Sequence, residues 1–130
     1  MWRAAFLFAL PIAACASVPP AGMPVTGQWG GPHIGLTLDA SGGRIEYDCA
    51  AGTIGRVVPG AGGRFAAAGT HTPGWAGPAI EGQVLPTHRA QFSGVVRGDR
   101  MTLEGRVENG VMLGPFELAR GAEAGIFRCL

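Results

Sequence analysis

Residues 91–120 constrain the fold of this chain more than any other segment, because they predict two consecutive hairpins that share one strand. Between residues 100 and 108, apolar residues or glycine alternate strictly with polar ones, which is the pattern of a half-buried β-strand. Asn109-Gly110 follows this strand and Gly98-Asp99 precedes it, and both dipeptides are typical of two-residue hairpin turns. Each turn predicts the same inward face for the shared strand, so its register is strongly specified.

The two turns define explicit cross-strand pairs. The pairs expected across the Asn109-Gly110 turn are Val107 with Met112, Gly105 with Gly114, Leu103 with Phe116 and Met101 with Leu118. The pairs expected across the Gly98-Asp99 turn are Val96 with Met101, Gly94 with Leu103 and Phe92 with Gly105. Every inward position meets another inward position, so the segment is predicted to be a three-stranded antiparallel meander.

Glycine and proline interrupt the rest of the chain at short intervals. They number 23 and 10 of the 130 residues, which is too many breaks for the long helices of a helical bundle. Weaker alternation and β-branched residues predict further strands at residues 34–38, 45–49, 53–58, 65–72 and 125–129, with a long loop between Pro73 and His88.

The fold class expected from these segments is all-β. A small antiparallel up-and-down β-barrel of about eight strands is favoured, because closure removes the exposed strand edges of an open sheet. A two-sheet β-sandwich is the alternative.

The N-terminus has the features of a secretory leader. Arg3 precedes an apolar run that ends at Ala14, and residues 12–15 read Ile-Ala-Ala-Cys. This ending resembles the lipobox of bacterial lipoproteins, and the resemblance implies that Cys15 is lipidated and anchors the chain to a membrane. Ala16, in place of Asp, favours an outer-membrane lipoprotein that faces the periplasm. Because Ala14-Cys15-Ala16 also fits an ordinary cleavage site, a secreted or periplasmic protein is the alternative.

The resulting division of the chain is simple. Residues 1–14 are the expected signal peptide, residues 15–24 a lipidated cysteine followed by a proline-rich extended tether, and residues 25–130 a single β domain. Within that domain, Cys49 and Cys129 form an even pair, which suggests a disulfide in an oxidising compartment. Two buried thiols that never meet are the alternative, since a sequence does not supply the distance between them.

Charge and motifs exclude several classes of function. The chain has 10 basic and 9 acidic residues, and removal of Arg3 with the leader leaves a neutral mature protein, so no nucleic-acid partner is expected. His33, His71 and His88 lack the spacing of zinc ligands, so no metal or cofactor is expected. No nucleophile or Ser-His-Asp arrangement has motif support, so no catalytic residue is assigned and the protein is not expected to be an enzyme.

Two resemblances bear on the fold. Gly27-Gln28-Trp29 resembles the Gly-x-Trp start of lipocalin-like and avidin-like barrels. That resemblance implies that Trp29 closes one barrel end beneath an arginine of a late strand, for which Arg120 and Arg128 are both candidates. Three longer segments are similar to a group of small bacterial envelope lipoproteins without an assigned activity, and they are Trp29–Leu36, Tyr47–Ile54 and Phe92–Leu103.

The function expected is binding without catalysis. The first hypothesis is a lipoprotein that holds a small or apolar ligand in or at the barrel mouth. Its site is expected near Trp29, His33 and Trp75, because Trp29 and His33 flank a Gly-Gly-Pro break and Trp75 lies in the long loop. The alternative is a module that binds an envelope protein, such as an inhibitor or accessory subunit of an envelope enzyme.

Overall fold

The computed structural model describes residues 22–74 and 81–129. The expected signal peptide, Cys15 and Trp75 lie outside the described residues. Within the described part, the only helical element is a 3-10 turn, Ala61–Gly63. No helix there has the length and apolarity that crossing a membrane requires.

Eight antiparallel strands close into an up-and-down barrel, which confirms the expected fold over the sandwich alternative. Each strand pairs with its neighbours in sequence, and the last pairs with the first. The strands are β1 (Gly27–Gly31), β2 (Ile34–Asp39), β3 (Gly42–Tyr47), β4 (Ala50–Gly55), β5 (Arg64–Pro73), β6 (His88–Arg97), β7 (Arg100–Val107) and β8 (Met112–Arg120).

The hairpin between β6 and β7 has the register that the sequence predicts. Gly98 and Asp99 form its turn, and Arg97 pairs with Arg100 at its base. The three expected pairs are all present, and they are Val96 with Met101, Gly94 with Leu103 and Phe92 with Gly105. The period-two pattern of β7 was therefore sufficient to place this hairpin.

The hairpin between β7 and β8 differs from the prediction near its turn. The Val107 amide donates to the Val111 carbonyl at 2.8 Å and Gly110 has a φ of +91°, so the loop has one residue more than predicted. A glycine in this left-handed conformation is what such a loop requires. The expected pairs of Val107 with Met112 and of Gly105 with Gly114 are wrong, because Gly105 pairs with Leu113.

A β-bulge then restores the predicted register. Between the pairs at Gly105 and Leu103 the register shifts, because Gly114 and Pro115 together face the single residue Glu104. Beyond this bulge, the expected pairs of Leu103 with Phe116 and of Met101 with Leu118 are both present.

Two further sequence expectations are corrected. Strand β3 ends at Tyr47, and Cys49 lies in the tight turn before β4 with a φ of +56°, so it is not an inward strand residue. Residues 125–129 form no strand, since only one isolated bridge joins Gly125 to Pro32. The barrel closes through β8 and β1 instead, by the pairs Trp29 with Arg120 and Gly30 with Ala119.

Inward-facing side chains fill the middle of the barrel. They alternate with exposed residues along each strand, as a closed sheet with one buried face requires. The most completely buried large residues are Trp29, Ile34, Leu36, Ile45, Val57, Pro59, Phe92, Val96, Met101, Leu103, Val107 and Leu118.

The two ends of the barrel are built differently. At the closed end, where β1 begins and β8 ends, the Val25 amide donates to the Val57 carbonyl at 2.8 Å and draws the chain across the opening. Both of these side chains are buried. The opposite end, called the mouth below, is where β1, β3, β5 and β7 end and where β2, β4, β6 and β8 begin.

Trp29 and Arg120 complete the closed end. Trp29 is fully buried, and the Arg120 guanidinium carbon lies 4.4 Å from the centroid of its ring. The same guanidinium donates to the Thr26 carbonyl at 2.8 Å and to Asp99 at 3.1 Å. Of the two arginines considered for this place, Arg120 occupies it, and it ties the last strand to the segment before the first.

The face assignment of β7 predicts opposite effects at two adjacent positions. Leu103 is buried and faces the core, so Leu103→Ala is expected to lower the free energy of unfolding by about 2–5 kcal/mol. Glu104 is exposed on the outer wall, so Glu104→Ala should change it by less than about 0.5 kcal/mol. Urea denaturation measures both values, and similar losses for the two variants would contradict the register.

The Arg120 contacts predict that this side chain stabilises barrel closure. Arg120→Met keeps an aliphatic stem over Trp29 but removes the cation and its hydrogen bonds. We expect a loss of roughly 1–3 kcal/mol, the sum expected for a cation–π contact and one or two hydrogen bonds. Arg106→Met, at an exposed outer position of β7, is the matched control and should be nearly neutral. Equal unfolding midpoints for the two variants would show that Arg120 does not stabilise the closure between β8 and β1.

Candidate functional site

A cavity of about 330 Å³ opens at the mouth of the barrel. Its wall combines apolar side chains with a few polar ones, as is common in sites for small molecules. The lining residues are His33, Tyr47, Asp48, Ala50, His71, Met112, Leu113, Gly114 and Phe116.

The apolar part of the wall comes from β3, β4 and β8. Tyr47 and Phe116 face each other with ring centroids 5.5 Å apart, and Ala50 and Leu113 pack partly buried against the core. The bulge at Gly114 makes this wall possible, because it returns Phe116 to the inward face after the shifted hairpin loop.

Two polar atoms in the wall are buried without a hydrogen-bond partner. They are the Tyr47 hydroxyl and Nδ1 of His71. Tyr47 is 7% exposed and His71 is 9% exposed, and their rings meet edge to face at 5.7 Å. A buried polar group without a partner typically lowers the free energy of unfolding by about 1–3 kcal/mol, so this pair destabilises the ligand-free protein.

Burial also keeps both side chains uncharged. It raises the pKa of the Tyr47 phenol well above its usual range, so the hydroxyl keeps its proton. It lowers the pKa of the His71 imidazole, and the neighbouring His88 lowers it further. Near neutral pH the two groups are therefore a neutral phenol, which can both donate and accept, and a neutral imidazole, whose Nδ1 donates or accepts according to the tautomer.

The rim of the mouth is held by Asp48. Its carboxylate bonds Nδ1 of His33 at 2.5 Å and accepts the Phe127 amide at 2.7 Å. The pKa of Asp48 lies below its usual range, mainly because the carboxylate accepts the Phe127 amide and to a smaller extent because His33 is adjacent. The Phe127 ring lies against the His33 ring at 5.6 Å but is itself 68% exposed.

The C-terminal tail, residues 121–129, reaches this rim along the outside of the barrel. It leaves β8 at the closed end and passes over β1 and β2, where Gly30 and Gly35 leave room for it. A Cβ atom added at Gly35 would lie 2.6 Å from the Ala124 side chain. At the rim, Cys129 and Cys49 lie at disulfide distance, with Cα atoms 5.0 Å apart. The expected pair is therefore brought together, and it joins the tail to the β3–β4 turn.

All three histidines of the chain lie at the mouth. His88 begins β6 opposite His71 at the end of β5, and its Nδ1 lies 3.4 Å from the Glu108 carboxylate. His33 is on the rim with Asp48. Among residues 22–74 and 81–129, no three His, Cys, Asp or Glu side chains converge in the way that a metal ion requires.

The structure separates the residues that the sequence singled out for binding. His33 lies on the rim of the mouth, whereas the contacts of Trp29 with Thr26 and Arg120 place it in the closed end. Trp75 lies outside the described residues. Sequence reasoning did not single out Tyr47 or Phe116, whose only signal was their inward place in alternating strands.

Two larger depressions lie on the outer wall. One, of about 560 Å³, is lined by exposed side chains of β6, β7 and β8 that include Arg97, Arg100 and Glu117. The other, of about 550 Å³, lies beside the tail and its disulfide. Tyr47 and Ala50 also border the second depression, but His71 lines neither of the two.

Comparison with known proteins assigns the chain to no family. No family model matches the chain, no curated protein matches it, and no solved structure matches it. The function has to be inferred from the geometry of the mouth.

The unpaired Tyr47 hydroxyl predicts that its removal does not destabilise the ligand-free protein. Tyr47→Phe keeps the ring contact with Phe116 and eliminates a buried polar atom that has no partner. We expect the free energy of unfolding to stay equal or rise by up to about 1 kcal/mol. Thermal and urea unfolding measure this change. A loss above about 1 kcal/mol would show that the hydroxyl makes a stabilising hydrogen bond.

Proposed function

We propose that this protein is a non-catalytic binding protein that holds a small, largely apolar ligand in the mouth of its barrel. The observation that carries the proposal is the cavity of about 330 Å³ at the open end, walled by Leu113, Phe116 and Tyr47. Eight-stranded barrels are wide enough to hold one small ligand above a packed interior. The resemblance of Gly27-Gln28-Trp29 to lipocalin-like starts supports the same function.

Burial of a ligand's apolar surface in the cavity would contribute favourable free energy to binding. Each square ångström removed from water contributes roughly 25 cal/mol, so even a partly enclosed two-ring molecule gains several kcal/mol before the costs of association. Charged side chains stay at the rim, where Asp48 is engaged by His33 and Phe127. The wall itself is therefore free to make apolar contacts.

We also propose that Cys15 is lipidated and that the protein is an outer-membrane lipoprotein facing the periplasm. The support for this proposal is the leader of residues 1–14 and the lipobox-like Ile-Ala-Ala-Cys that ends it. The described chain enters the barrel at the closed end, through Val25. An anchor before that point would leave the mouth directed away from the membrane.

The experiment uses N-phenyl-1-naphthylamine, an uncharged dye whose emission rises in apolar surroundings. The wild-type protein is expected to bind it with saturation. Ala50 is half-buried in the wall, so Ala50→Phe should fill the cavity and weaken binding by at least about tenfold, or about 1.4 kcal/mol.

The control is the same substitution on the outer wall. Ala68 is exposed on β5, so Ala68→Phe adds an identical ring where no cavity exists. Its affinity for the dye should match that of the wild type. Equal weakening in both variants, or no saturable emission from the wild type, would contradict binding at the mouth.

A protein partner is the second candidate, and the exposed rim favours it. Val111, Met112 and Phe127 are 49%, 55% and 68% exposed, and all three lie at the mouth. Clustered exposed apolar residues mark interaction surfaces more often than scattered ones. Under this alternative, Phe127→Ser would weaken capture of an envelope protein while dye binding in the cavity stays unchanged.

A further inference from the structure

We propose that the ligand is an uncharged amphiphile, an apolar body bearing a hydroxyl or amide group, and that Tyr47 Oη and His71 Nδ1 hydrogen-bond that group. This inference rests on the proposed function, because it names the chemistry of the ligand at the same site. It assigns to Tyr47 and His71 the recognition of one polar group.

A polar group is required because the wall holds two polar atoms with nothing to bond. The Tyr47 hydroxyl and Nδ1 of His71 belong to side chains more than nine-tenths buried, and both side chains line the cavity. Their rings stand 5.7 Å apart, so one small group can lie within reach of both. A purely apolar ligand would leave both atoms unpaired, whereas a ligand with a polar group could satisfy them.

The group has to be uncharged because the cavity offers no free charge to pair with it. No arginine contributes to the described wall. Asp48 is already engaged by the Phe127 amide and His33, and the Glu108 carboxylate lies beside His88. An anion would therefore meet the Asp48 carboxylate and no free cation, and a cation would have to displace the contacts that Asp48 makes at the rim.

The hydrogen-bonding capacity of the two side chains points to a hydroxyl or an amide. A phenol donates one hydrogen bond and accepts others, and a neutral imidazole nitrogen does one or the other according to its tautomer. A group that can both donate and accept satisfies the pair in either tautomer. Ethers and esters only accept, so they match fewer arrangements of the same two side chains.

Three probes of similar shape separate these possibilities. They are 1-naphthol, 1-methylnaphthalene and 1-naphthoate, which present a hydroxyl, a methyl group and a carboxylate on the same ring. Binding to the full chain is followed by two-dimensional amide NMR, and the amides of Tyr47, Ala50 and His71 report on the mouth. We expect 1-naphthol to bind about fivefold more tightly than 1-methylnaphthalene, the factor that one net hydrogen bond supplies, and 1-naphthoate to bind most weakly.

Two variants test the residues. Tyr47→Phe and His71→Leu are each expected to reduce the preference for 1-naphthol towards unity while leaving the affinity for 1-methylnaphthalene within about twofold. Thr102→Val, which removes a hydroxyl from the outer wall, is the matched control and should keep the full preference. Tyr47→Phe alone decides the test if His71→Leu fails to fold.

The outcomes distinguish this inference from the proposed function. If no probe shifts the mouth amides, binding at the mouth is wrong and the inference falls with it. If 1-methylnaphthalene binds as tightly as 1-naphthol, or if Tyr47→Phe keeps the preference, the cavity binds ligands but this inference is overturned. Tighter binding of 1-naphthoate would likewise overturn it, because the ligand would then be an anion.

Discussion

Closure of the barrel between β8 and β1 is the constraint on which the rest of this structure depends. The seam contains two residue pairs, Trp29 with Arg120 and Gly30 with Ala119, whereas β6 and β7 share eight. Arg120 compensates for the short seam, because its backbone belongs to β8 while its guanidinium bonds the Thr26 carbonyl and covers the Trp29 ring. Without that closure, β1 and β8 would be exposed edges and the inward residues of the whole sheet would lose their common core.

A barrel closed in this way concentrates its irregular features at the other end. The closed end is filled by Trp29 and crossed by residues 22–26, and the two buried side-chain polar atoms without a partner in the described part of the chain both lie at the mouth. There the tail returns along the outside and joins the β3–β4 turn through Cys129 and Cys49. Tyr47 lies directly before that turn, so a disulfide between these cysteines would restrain the wall that carries the unpaired hydroxyl. Unpaired buried polar atoms at a restrained position are typical of binding sites, where a ligand supplies the missing hydrogen bond.

Much of the fold follows from the sequence, and the exceptions have local physical causes. Period-two alternation placed β6 and β7 correctly because one face of each strand is buried. It placed the β7–β8 pairs nearest the turn wrongly, because the loop has three residues instead of two. It placed the pairs farther from the turn correctly, because the bulge at Gly114 shifts the register back by one residue. Cys49 follows the alternation of β3 in sequence but adopts a left-handed turn conformation that alternation cannot reveal. The contact between the Tyr47 and His71 rings forms only when strands β3, β4 and β5 come together. Neither residue alone therefore indicated a site in the sequence.

With the proposed lipid anchor at Cys15, the geometry of the barrel would also set the direction from which a ligand approaches. Residues 22–26 join the barrel at the closed end, and the mouth lies at the far ends of strands five to ten residues long. A lipid anchor at Cys15 would therefore hold the closed end toward the membrane and direct the cavity toward the surrounding solution. A ligand taken from a bilayer would have to travel around the barrel, whereas a sparingly soluble molecule in the aqueous phase would meet the mouth directly. That orientation favours an uncharged amphiphile with enough polarity to leave a membrane, which is the class of molecule that one hydroxyl or amide group on a small apolar body describes.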